Sequence, residues 1–114
     1  IDPRTIAPFD DSLAVKSVNK TGHCLVADND WVDSGFSAEI AARISEKSFG
    51  NLKTPVTRIG WAHTPTPTVR KLENEFYPNA EQIVRAVEKK LGLKPLDLSS
   101  EDFYSYESRF KGPF

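Results

Sequence analysis

The sequence predicts an α/β domain built on a parallel-type sheet, and three observations carry that reading. Cys24-Leu25-Val26-Ala27 is a short, unbroken apolar run between Gly22 and the polar cluster Asp28-Asn29-Asp30, the pattern of a strand covered on both faces. A second strand candidate, residues 55–61, follows after a segment with helical apolar spacing. A helix with complete start and stop signals closes the pattern at residues 79–92.

Taken in order, the elements justify themselves locally. The opening Ile1-Asp2-Pro3-Arg4-Thr5-Ile6-Ala7-Pro8-Phe9-Asp10 reads as the end of a buried strand running into a loop. The chain has no methionine, and the expectation is a part of a larger polypeptide. Asp10 is placed to accept the free N–H groups of a helix that starts near Ser12. Leu13, Ala14 and Val18 give that helix one apolar face, and Gly22 suits the left-handed position after its end. Gly35 opens the next helix, which runs to about Ser48. Phe36, Ile40 and Ile44 repeat at i+4, while Ser37, Ala38, Ala41 and Ala42 leave a second face small enough for another backbone to approach. Pro55 is tolerable only at the first position of the next strand. Residues 62–78 are expected to be a loop, since Pro65 and Pro67 favour extended backbone. Asn79 and Gln82 form a capping box ahead of Ala80, Ile83, Val84, Val87 and Leu91. Glu81 and Arg85 are spaced to pair, Lys89 and Lys90 complement the helix dipole, and Gly92 ends the helix. We therefore divide the chain into a domain at 1–92 and an extended aromatic C-terminal tail at 93–114.

Composition narrows the function classes. With 15 Lys and Arg against 16 Asp and Glu, there is no basic excess for nucleic acid and no acidic tail for a basic partner. No apolar run reaches the roughly 18–20 residues of a membrane span. Cys24 alone cannot form an internal disulfide, and its apolar setting marks a buried, inert thiol. Cytoplasm or an organelle matrix suits such a chain.

Few residues are arranged for chemistry. Asp28, Asp30 and Asp33 lie at the carboxyl end of a strand, where open α/β folds bind ligands. They lack the glycine and the bidentate glutamate of a calcium loop and are read as solvated loop carboxylates capping the following helix. His23 and His63 have no partners at metal-ligand spacing, and His63 is read as a surface or interface side chain. No phosphate loop, dinucleotide fingerprint, nucleophile elbow or zinc pattern is present. We assign no catalytic, cofactor-binding or metal-binding residue. The candidate interface comprises Phe36, Ser37, Ala41, His63, Pro65 and Pro67, with Phe103, Tyr104, Tyr106 and Phe110 in the tail.

Four segments in order carry a resemblance. They are Ile1-Asp2-x-Arg4-Thr5-Ile6-x-Pro8-x-Asp10, Ser17-Val18-x-Lys20-Thr21-Gly22, Gly35-Phe36-Ser37-Ala38-Glu39-Ile40, and Pro55-Val56-x-Arg58 leading to Thr64-Pro65-Thr66-Pro67. Across residues 1 to 91 the chain resembles the C-terminal domain of the thiamine-diphosphate-dependent transketolase superfamily. Within it, the similarity is greatest to the beta subunit of the 2-oxo acid dehydrogenase decarboxylating component. Three departures concern subtype: Pro3 replaces a usual Leu, His63 a frequent Asp, and Asp28-Asn29-Asp30-Trp31 a more common His-Glu or Asp-x-x-Trp arrangement.

The resemblance implies a three-layer sandwich with a mixed, mostly parallel sheet whose first strand and helix lie upstream of Ile1. It implies a parent reaction that decarboxylates a 2-oxo acid and reductively acylates a lipoyl group. It implies thiamine diphosphate and magnesium as cofactors of the parent enzyme, bound outside this domain. It implies as partners the alpha and beta chains of that enzyme and its lipoyl-bearing acyltransferase core, in an oligomer. The alternatives are the same domain in another thiamine-dependent transketolase-family enzyme, or a free-standing protein-interaction module.

Overall fold

Two parallel strands and the helices around them make up the fold, in a computed structural model that describes residues 1–101. In chain order the elements are α1 (Ser12–Thr21), β1 (Leu25–Trp31), α2 (Phe36–Ser48), β2 (Thr57–Trp61), α3 (Arg70–Phe76) and α4 (Ala80–Leu91). β1 and β2 pair in parallel with α2 as the crossover between them, which is the α/β arrangement the sequence predicts. α2 packs on both strands and on α1, and α4 packs on β2.

The helix boundaries follow their caps. Asp10 Oδ1 accepts the Ser12 N–H at 2.9 Å, one residue outside the formal cap position. That position belongs to Asp11, which is buried and holds Lys47 Nζ with both carboxylate oxygens at 2.6 and 2.7 Å. The pair ties the start of α1 to the end of α2. The capping box at α4 is complete, with Asn79 Oδ1 accepting the Gln82 N–H at 2.9 Å and Gln82 returning to the Asn79 N–H. Gly22 and Gly92 end α1 and α4 at positive φ, 78° and 64°, a conformation that costs glycine nothing.

Three sequence expectations need correction. β1 does not stop at Ala27 but continues through Asp28-Asn29-Asp30 to Trp31. The pairing explains it: Ala27 lies opposite Ile59 and Trp31 opposite Trp61, so β1 advances four residues where β2 advances two. The polar residues sit in this bulge, where the ladder is interrupted and side chains need not alternate into a core. Second, residues 62–78 are not all loop, because α3 occupies part of them. Its start at Val69 has no side-chain cap, so it carries none of the usual entry signals. The Val69, Leu72, Phe76 spacing was the available cue, and only Phe76 is buried. Third, no carboxylate caps α2. Its cap is Gly35 without a side-chain hydrogen bond, and Asp30 Oδ1 instead accepts the neighbouring Trp31 N–H at 2.7 Å.

Core burial is sparse. Among the described residues the fully buried apolar side chains are Val18, Ile44 and Phe76. β1, whose apolar run reads as covered on both faces, is nowhere fully buried, and Ala27 and Asn29 are exposed. Its apolar residues look into an open groove of about 840 Å³ that also takes in Leu13, Val18, Phe36 and Ile40. Cys24, at the foot of this groove, is half-buried, and burial raises its thiol pKa.

Candidate assembly interface

The carboxyl ends of β1 and β2 are the customary ligand position of a parallel sheet, and here they are closed by aromatic rings. The bulge brings Trp31 and Trp61 together edge to face, with centroids 5.7 Å apart. Trp61 also lies 5.5 Å from Phe76 and 6.1 Å from Tyr77, so α3 delivers two further rings to the cluster. Trp61 Nε1 donates to Asn29 Oδ1 at 2.8 Å, which satisfies the indole as burial of its ring demands.

Two glycines permit this end. A Cβ on Gly60 would lie 2.5 Å from the Asp30 carbonyl oxygen, and one on Gly35 would lie 1.8 Å from that of Trp31. Both are sites where backbone approaches backbone, so the bulge and the entry to α2 each require a residue without a side chain. The Arg58 guanidinium donates to the Val32 carbonyl between them, committing the nearest cation to the loop itself.

The acidic side chains at this end are Asp28, Asp30 and Asp33, and His63 Nδ1 lies 3.8 Å from Asp33 Oδ2. Rings packed on one another and acidic side chains do not fit a diphosphate, which needs backbone N–H groups and cations. Among the described residues no group of three or more His, Cys, Asp or Glu is placed to hold a metal ion, and no helix is long and apolar enough to cross a membrane.

The candidate interface residues fall into two places. Phe36, Ser37 and Ala41 are on α2. Phe36 packs edge-on against Phe9 at 5.4 Å, and Arg43 lies over the same Phe9 ring at 5.8 Å, so this end of α2 is braced by the N-terminal segment. Ser37 is completely buried and its Oγ has no partner among the described residues. Ala41, with Ala38, Ala42 and Ser45, lines a shallow concavity of about 710 Å³ that continues to Phe49, which is 85% exposed. His63, Pro65 and Pro67 are in the loop after β2, and the His63 ring is 5.9 Å from that of Trp31. The structure therefore does not gather all six residues into one surface. Phe103, Tyr104, Tyr106 and Phe110 lie outside the described residues. The aromatic cluster itself was missed, although Trp31, Trp61, Phe76 and Tyr77 each stand at the end of an element in the sequence.

Comparison with known proteins places this geometry. Residues 1–83 match the family described as Transketolase, C-terminal domain. The chain belongs to that family. It is 34% identical over 95 residues to the Pyruvate dehydrogenase E1 component subunit beta, mitochondrial, of Saccharomyces cerevisiae, covering 82% of this chain and 26% of that protein. It is 36% identical over 91 residues to the Pyruvate dehydrogenase E1 component subunit beta of Leifsonia xyli, covering 80% and 27%. It is also 32% identical over 97 residues to the Acetoin:2,6-dichlorophenolindophenol oxidoreductase subunit beta of Bacillus subtilis, covering 85% and 28%. The chain thus spans about a quarter of the length of these relatives. Its relatives include both mitochondrial and bacterial beta subunits.

Proposed function

We propose that this chain is the C-terminal assembly domain of a 2-oxo acid dehydrogenase beta subunit. The parent reaction is thiamine-dependent oxidative decarboxylation of a 2-oxo acid with transfer of the acyl group to lipoyl. The observation that carries the reading is a family match across most of the chain to beta subunits, joined to a surface rich in uncovered apolar area and poor in chemistry. The groove along β1 and the Ala/Ser concavity of α2 are open, mainly apolar surfaces that a neighbouring chain can cover. In this reading they are covered by the remainder of the beta subunit and by neighbouring alpha and beta chains, with the lipoyl-bearing acyltransferase core docking on the assembled enzyme. The domain proper ends at Gly92, and residues 93–114 form the C-terminal tail, whose aromatic residues lie outside the described residues. Thiamine diphosphate and magnesium are bound elsewhere in the parent enzyme. The compartment is the bacterial cytoplasm or the mitochondrial matrix.

Two measurements test this. Ala41→Glu places a carboxylate on the small-residue face of α2, and light scattering of the intact beta subunit with its alpha partner should show a loss of oligomer mass. An unchanged mass with an unchanged melting temperature refutes a role for that face in assembly. Calorimetric titration of the isolated chain with thiamine diphosphate and Mg²⁺ should show no binding, and micromolar affinity overturns the assignment of the cofactor site to other parts of the enzyme.

A further inference from the structure

A second arrangement lies beyond the matched residues 1–83 and does not depend on the proposed function. Glu88 is 5% exposed although it sits on the last turns of α4. Its Oε1 accepts the Leu96 N–H at 2.6 Å, and its Oε2 accepts from Arg85 Nη1 at 3.0 Å. The same Arg85 nitrogen donates to the Leu96 carbonyl at 3.0 Å. Both main-chain polar groups of one residue are thus held by two side chains spaced i,i+3 on a helix. Such a grip does for Leu96 what a neighbouring strand would do, and a charged donor and a charged acceptor make its hydrogen bonds the stronger kind. The Glu88 carbonyl accepts the Leu93 N–H at 3.0 Å, so the chain is held at two points three residues apart. Pro95, between them, removes a backbone donor and fixes one torsion.

We propose that Arg85 and Glu88 are a backbone clamp that straps residues 93–98 onto α4 and fixes the direction in which the chain leaves the helix. The grip is on main-chain atoms, and Leu93 and Leu96 remain 55% and 60% exposed. The strap therefore presents Leu93 and Leu96 outward on a segment that the sequence reads only as an extended tail. Charge and geometry are both used: Glu88 has its carboxyl pKa lowered, first by the Leu96 N–H and then by Arg85.

Residue-resolved hydrogen exchange on the intact protein tests the clamp. The Leu96 amide should exchange at least about tenfold more slowly than in an unstructured peptide. Glu88→Ala and Arg85→Ala should each remove most of that protection. The Gly92 amide, which bonds the Glu88 main-chain oxygen, should keep its own protection and report that α4 is intact. A Leu96 amide that exchanges at the unstructured rate in the unaltered protein overturns the proposal without any variant. Protection at Leu96 that survives both substitutions overturns it equally. Should Glu88→Ala fail to fold, Arg85→Ala and the unaltered protein still decide.

Discussion

Gly60→Ala tests whether the bulge in β1 sets the register of the sheet. The new methyl carbon would stand 2.5 Å from the Asp30 carbonyl oxygen and 3.0 Å from Val32 Cγ2. Ordinary contact begins near 3.4 Å, so the strands must part by close to an ångström or the bulge must re-form. The obstacle is main chain, which cannot swing aside as the end of a long side chain would. Overpacking of this kind costs about 1–3 kcal/mol, and the backbone contact places Gly60 near the upper end. At roughly 4–8 °C per kcal/mol for a domain of about this size, the melting temperature should fall by on the order of 10 °C. Differential scanning calorimetry measures it, with Gly50→Ala as the control. Nothing lies within 4 Å of a Cβ at Gly50 and its φ is not positive, so that change should be neutral or raise stability by about 0.4–1 kcal/mol. If Gly60→Ala melts within 2 °C of the parent, by this same scale, the close approach of β1 and β2 at the bulge does not constrain the fold.

Two further outcomes follow from buried carboxylates. Asp11→Asn removes the charge that Lys47 meets between α1 and α2. Lys47 is half exposed and can return to water, so the loss should be about 1–2 kcal/mol, short of the cost of stranding a fully buried partner, and urea titration measures it. Glu88 holds its proton less tightly in the folded chain than in the unfolded one. Its contribution is therefore complete above the ordinary glutamate range and is lost as pH falls through the lower, folded value. Stability of Glu88→Gln should converge on that of the parent as the solution is acidified, and a constant difference across the acid limb refutes the sign.

The helices were legible because their ends are chemically marked. Asn79, Gln82 and Gly92 define α4 to the residue, and the Phe36, Ile40, Ile44 spacing defines the inner face of α2. The far half of β1 was hidden because Asp28, Asn29 and Asp30 occupy a bulge, where polar residues cost little and periodicity fails. α3 was hidden because, among its described side chains, Phe76 is the buried one, and no capping residue announces it. The candidate interface residues are proposed from residue type alone, small side chains on α2 and prolines after β2, and where each lies depends on chain path. The strap was illegible for a similar reason. Arg85 reads as the partner of Glu81, which it approaches only to 3.8 Å, while its stronger bonds go to Glu88 and to a main-chain oxygen eleven residues away.

The two tryptophans of this chain both belong to the aromatic cluster, with edge-to-face rings 5.7 Å apart. The tryptophan emission of this chain therefore has a single address, the end of the sheet where the His63 ring also lies. It is silent about the β1 groove and the small-residue face of α2. A subunit or peptide that covers that end should shift the emission maximum, and one that covers only the β1 groove should leave it in place. The two places on which the candidate interface divides can thus be told apart in solution without attaching any label.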